Sequence, residues 1–158
     1  MINKKNIFYF FFVIIIFVID RASKIIVINL VNDNSKSEII ILDFLSISLV
    51  WNEGIAFGFL SLEEKIFYNI LTIIIILVIF LVFLMMLKSN GWEKIGFIMV
   101  FSGALGNAFD RIVFSAVPDF IDFHINNFHW FTFNFADVFI TLGVFLLIIN
   151  EVKLIKKK

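Results

Sequence analysis

Any chemistry in this chain has to come from a few polar residues set among apolar ones. Asp20, Ser23 and Lys24 stand at i, i+3 and i+4, one face of a helix. Gly103, Gly106, Asn107 and Asp110 follow the same rule at i, i+3, i+4 and i+7, small at the base and polar at the top, with Arg111 next in line. Asp119 sits in Val-Pro-Asp-Phe-Ile-Asp-Phe, an apolar setting for a carboxylate, and Asp137 in Phe-Asn-Phe-Ala-Asp-Val-Phe. Chain reversal between those segments could bring Asp119 and Asp137 together. Two carboxylates sharing one site do not both ionise easily, so one holds a proton while the other stays charged. Such a pair suits peptide hydrolysis: the base activates water, and the acid protonates the carbonyl or the leaving amine.

Each residue also has a plainer reading. Asp20 and Lys24 could be a snorkelling ion pair at a membrane interface. Gly103 and Gly106 fit a small-residue packing seam, with Asn107 hydrogen-bonding helices together. Asp110-Arg111 could be an interfacial anchor, and Asp119 and Asp122 solvated loop acids. Other chemistries lack their parts. There is no His-Glu-x-x-His pattern, and His124 and His129 match no metal-ligand spacing, so they read as interface residues. The Gly-x-Ser-x-Gly elbow is missing, Ser102 has no evident His partner, and no phosphate-binding glycine loop occurs. No metal and no cofactor is expected.

The elements that must position these residues are membrane helices. Hydrophobic residues make up 61% of the 158, against roughly 45–50% in ordinary globular proteins, and charged ones only 16%. A soluble domain of this size could not hide so much apolar surface, and 23 Phe exclude a disordered chain. Thirteen basic residues cancel thirteen acidic ones, which leaves no case for nucleic acid. With no cysteine there are no disulfides, thiolate sites or cysteine nucleophile.

Four apolar segments approach the roughly 20 residues a spanning helix needs, at about 7–28, 66–87, 95–110 and 133–150. The first has a basic start, but Asp20-Arg21 rather than a small-residue cleavage site follows its apolar core, so it reads as a retained helix. Lys4, Lys5, Lys88, Lys94, Lys153 and Lys156 to Lys158 fall before the first, between the second and third, and after the fourth segment. The positive-inside rule then puts both termini in the cytoplasm and the polar clusters near the opposite face. Leu45-Ser46-Ile47-Ser48-Leu49 alternates as a half-buried strand does. A small surface sheet is expected between the first two helices.

Taken in order, these segments resemble the bacterial lipoprotein signal peptidases (signal peptidase II). The resemblance rests on Asp20-Arg21-Ala22-Ser23-Lys24, on Asn52-Glu53-Gly54-Ile55-Ala56-Phe57-Gly58 and on Gly103-Ala104-Leu105-Gly106-Asn107-Ala108-Phe109-Asp110-Arg111. It continues through Val117-Pro118-Asp119-Phe120 and Phe133-Asn134-Phe135-Ala136-Asp137. One departure is Ser102-Gly103 where the family often has Gly-Gly. The resemblance implies one membrane-embedded unit, an α-helical integral protein of four transmembrane helices with an extracytoplasmic sheet, in the bacterial cytoplasmic (inner) membrane. It implies an aspartic endopeptidase acting on lipid-modified prolipoproteins, cutting just before a diacylglyceryl cysteine, as a monomer among membrane lipids. The catalytic pair implied is Asp119 and Asp137; supporting or substrate-contacting roles fall to Asp20, Lys24, Asn52, Gly54, Asn107, Asp110, Arg111 and Asn134. The competing class is a small proton-coupled carrier or helix-assembly protein, whose acids relay protons or hold helices together.

Overall fold

The computed structural model describes residues 4–33, 38–54, 63–126 and 128–155. Among these residues four long helices, α1 (Lys4–Asp33), α2 (Glu63–Lys88), α3 (Gly91–Phe114) and α4 (Phe135–Ile155), carry four strands: β1 (Glu38–Leu42), β2 (Leu45–Asn52), β3 (Val117–Ile125) and β4 (Phe128–Phe133). Among the described residues three helical stretches, Tyr68–Lys88, Gly91–Phe114 and Phe135–Ile155, are long and apolar enough to cross a membrane. α1 is the longest element at 30 residues, but Asp20, Arg21 and Lys24 interrupt its apolar run.

α3 is the hub and packs against the other three helices. Ile16, Met86, Phe97 and Ile98 form the buried apolar cluster between α1, α2 and α3. Glycines set the closest approach. A Cβ on Gly96 would come within 2.8 Å of the Leu147 side chain, and one on Gly143 within 2.7 Å of the Gly96 carbonyl oxygen. Small residues thus let the α3 and α4 backbones touch, the usual device where lipid removes the hydrophobic drive for helix association. The outer faces are apolar: α2 exposes Ile73, Ile74, Leu77, Phe80 and Leu81. Such a surface suits hydrocarbon rather than water.

The sheet is antiparallel in the order β1-β2-β3-β4. This corrects the expected layout. The alternating segment at Leu45 is indeed a strand, β2, but half of the sheet comes from the chain between α3 and α4. The reason is chemical. In β3 the buried face carries Phe120, Asp122 and His124, so polar residues occupy core positions and mask the period of two. Helix limits shift as well: α3 continues past Asp110-Arg111 through Ile112-Val113-Phe114 to a left-handed cap at Ser115 (φ 56°).

Candidate active site

The N-terminus of α4 organises the polar residues. Asn134 precedes the helix, and its side-chain Oδ1 accepts the Asp137 backbone N–H at 3.1 Å. Asp137 Oδ2 in turn accepts the Asn134 N–H at 3.1 Å. This is a capping box with Asn and Asp in the usual Ser and Glu roles. The remaining amide group of Asn134 donates to Asp119 Oδ1 at 2.5 Å. One buried asparagine therefore ties both candidate acids together.

Asp119 is held from its other side by β2. Asn52 Nδ2 donates to Asp119 Oδ2 at 2.8 Å, while Asn52 Oδ1 accepts the Gly54 N–H at 2.8 Å. Gly54 adopts φ 74°, a conformation open to glycine at little cost. Pairing of β2 with β3 shifts register between Ile47 and Val50, just where Asp119 enters the sheet. Such irregularities re-aim side chains beside functional sites. Burial pushes the Asp119 carboxyl above the usual range; the Asn52 and Asn134 amides pull it back, and the nearby Asp137 charge raises it further. Val50, Trp51, Asn52, Glu53, Asp119 and Thr132 line an open cleft of about 410 Å³. A larger cavity of about 610 Å³ lies at the far end of the bundle around Tyr9, Met86 and Lys94. Among the described residues its lining is mostly apolar, with Asn6, Tyr9 and Lys94 as the polar members and no carboxylate pair.

Behind Asp137 stands a buried ion cluster. Asn107 Nδ2 donates to Asp137 Oδ1 at 2.8 Å, and its Oδ1 accepts from Lys24 Nζ at 2.9 Å. Lys24 Nζ also reaches Asp20 at 3.0 Å and Asp110 at 2.6 Å. Arg21 forks onto Asp110, with one arm at 2.6 Å, and bonds Asp20 at 2.9 Å. Asp20 Oδ1 accepts the Ala136 N–H at 3.1 Å, so it serves a second free donor at the start of α4. Gly106 leaves room for this carboxylate, since a Cβ there would overlap Asp20 Oδ2. Asp20, Lys24 and Asp110 are each at most 1% exposed. Two cations balance two anions.

Asp20, Lys24, Asn52, Asn107, Asp110, Asp119, Asn134 and Asp137 thus join one hydrogen-bonded chain, and Gly54 supports it through its backbone. Among the described residues Arg111 meets this chain at a backbone group rather than a side chain. Its Nη1 donates to the Asn107 carbonyl oxygen at 3.2 Å, while its buried Nε finds no partner among the described residues. One step along a helix turns a side chain about 100° from its neighbour, away from the face Asp110 uses. Among the described residues Ser23 Oγ donates to the Asp20 carbonyl oxygen alone. The residue that sequence reasoning passed over is Arg21, which lies off the Asp20–Lys24 face yet crosses to α3, its guanidinium 4.9 Å from the Phe109 ring centre. Its adjacency to Asp20 was the available signal. Ile55 to Gly58 of the Asn52 block, and Lys156 to Lys158, lie outside the described residues.

Known proteins are similar to this chain in sequence and in overall fold. The model of the signal peptidase (SPase) II family matches residues 12–153. A lipoprotein signal peptidase of Pelagibacter ubique is 46% identical, over 99% of this chain and 95% of its own. One of Aeromonas hydrophila is 33% identical over 90% of this chain and 86% of its own. A solved structure described as a bacterial membrane enzyme, obtained by the in meso method, superimposes with a TM-score of 0.75 at 29% identity, covering 92% of either chain. The chain belongs to the signal peptidase II family.

Proposed function

We propose that this protein is a membrane-embedded aspartic endopeptidase that removes signal peptides from diacylglyceryl-modified prolipoproteins, cutting just before the lipidated cysteine. The observation that carries the reading is Asn134, which caps Asp137 and hydrogen-bonds Asp119, the carboxylate that lines the open cleft. Asp119, inclined by burial to keep its proton, is the acid that protonates the leaving amine. Asp137 is the base that takes a proton from the attacking water. Asn52, Asn107 and Asn134 hold the two carboxyls in place, and Asp20, Arg21, Lys24 and Asp110 hold the helices that carry them.

The membrane supplies the rest. Four crossings with both termini in the cytoplasm are consistent with the lysine distribution and would set the acids near the extracytoplasmic face, where water is available. The end of α3 exposes Ile112, Val113 and Phe114, the last in contact with Trp51 of the cleft. Acyl chains lying along this surface would contribute about 0.8 kcal/mol per buried CH₂. The protein acts as a monomer in this reading and needs no cofactor.

The test is purified protein in lipid, offered a diacylglyceryl-modified precursor and its unmodified twin. The modified one is cleaved and the twin is not. Equal cleavage of both removes the lipid specificity, and cleavage of neither returns the acids to a carrier or packing role.

The acid assignment has a pH signature. A general acid works only while protonated, so cleavage falls as pH rises through the Asp119 pKa. The Asn52 amide favours the ionised form of Asp119. Asn52→Ala therefore moves the alkaline limb of the rate profile to higher pH. A shift to lower pH contradicts the role given to Asp119.

A further inference from the structure

The sheet holds a second polar cluster that peptide cleavage does not use. Asp122 is 2% exposed; its Oδ2 lies 2.5 Å from His129 Nδ1, 3.9 Å from His124 Nδ1 and 3.4 Å from Ser46 Oγ. Two buried atoms there, Asp122 Oδ1 and His124 Nδ1, have no hydrogen-bond partner among the described residues. His124 is itself nine-tenths buried. Native proteins rarely leave such groups unsatisfied.

The backbone brings the three side chains together by an irregularity. Asp122 pairs with Thr132 and Phe123 with Phe131, and the register then slips by one, so that His124 faces His129. Without the slip His124 would face Trp130, and His129 would point to the opposite side of the sheet, because a one-residue shift exchanges faces. The bulge puts both imidazoles on the Asp122 face, with one donor atom from each residue within 4.8 Å of the others.

We propose that Asp122, His124 and His129 bind a transition-metal dication of the Zn²⁺ type. Two imidazoles and one carboxylate suit such ions rather than Mg²⁺ or Ca²⁺, which prefer oxygen alone. Bonds of about 2.1 Å in a tetrahedron separate donors by about 3.4 Å. The Asp122–His124 gap closes to that by about half an ångström, and the exposed ring of His129 turns back to admit the ion. A fourth position stays open to water. The ion satisfies the orphaned His124 Nδ1 and clamps β3 to β4, three residues from Asp119. It is separate from the catalytic pair, since both Asp119 oxygens are engaged by Asn52 and Asn134.

The experiment uses the full chain in detergent, free of any polyhistidine tag and stripped with a chelator, then titrated calorimetrically with Zn²⁺ and with Mg²⁺. One equivalent of Zn²⁺ binds, a large excess of Mg²⁺ does not displace it, and Tm rises by about 5–10 °C at a hundredfold excess over Kd. His129→Gln and Asp122→Asn each weaken Zn²⁺ binding at least ~10²-fold, beyond the ~10–100-fold typical of residues that merely orient a ligand. His129→Gln changes an exposed side chain and keeps a hydrogen-bond donor for buried Asp122, and its metal-free Tm, compared with the parent's, checks that the fold is kept. Asp119→Asn binds Zn²⁺ as the parent does. No Zn²⁺ binding by the parent, or undiminished binding by His129→Gln, overturns the proposal. So does binding lost in Asp119→Asn but kept in His129→Gln, which would place the ion at the acids.

Discussion

Asp119→Asn and Asp137→Asn each lower cleavage of a lipidated precursor by at least ~10²–10⁴-fold, while both variants insert, fold and bind that precursor. Asparagine keeps the shape of aspartate but can neither take a proton from water nor give one to an amine. The two changes differ in their structural cost. Each carboxylate accepts two hydrogen bonds, so an amide NH₂ in its place faces one donor it cannot satisfy, a cost of about 1–3 kcal/mol. At Asp119 one donor is exposed Asn52, which can turn to solvent. At Asp137 the donors are buried Asn107 and the backbone N–H of Asn134, neither of which can leave. Asp137→Asn therefore has the lower Tm of the two, with equal loss of rate. Cleavage rate, precursor affinity and Tm on both variants decide the matter, and substantial cleavage by either sinks the two-aspartate assignment.

Much of this arrangement was legible in the sequence because helices and polar stripes leave strong periodic marks. The i, i+4 placement of Asp20 and Lys24 and the i, i+3, i+4, i+7 stripe on α3 anticipated two faces that do meet, through Lys24 with Asn107 and Asp110. Asp137 also needed little inference, being an acid three residues after Asn134 at the start of an apolar run. What the sequence hid was anything built across strands. Asp119 was legible as a carboxylate in apolar surroundings, but not as a strand residue, because Asp119, Asp122 and His124 share the buried positions of β3 with apolar residues. His124 and His129 lie five apart, a spacing with no meaning on a helix; only a hairpin with a bulge makes them neighbours. Arg21 shows the same limit on a helix, since pattern reasoning places Cβ atoms and a guanidinium reaches well beyond its own face.

Asp110→Asn separates holding the site from doing its chemistry, with a large loss of stability as the expected result. Asp110 is fully buried on α3 and accepts from both Arg21 and Lys24 on α1. Asparagine removes one of two negative charges from a balanced group of four and turns an NH₂ toward cationic donors. Breaking a buried ion pair by deleting one partner typically costs about 3–5 kcal/mol, because the other charge is left behind without compensation. The damage spreads toward the acids, since Lys24 also bonds Asn107, and Asn107 bonds Asp137. Activity and Tm in detergent therefore fall together. A second change tests the cause. Adding Lys24→Met to Asp110→Asn restores charge balance, with Arg21 left facing Asp20, so the double variant should be less destabilised than the sum of the two single ones, a coupling that neighbouring residues commonly show. Simple additivity would mean that packing, not charge, sets the loss. An Asp110→Asn protein with the parent's Tm and no cleavage would move Asp110 into the catalytic set.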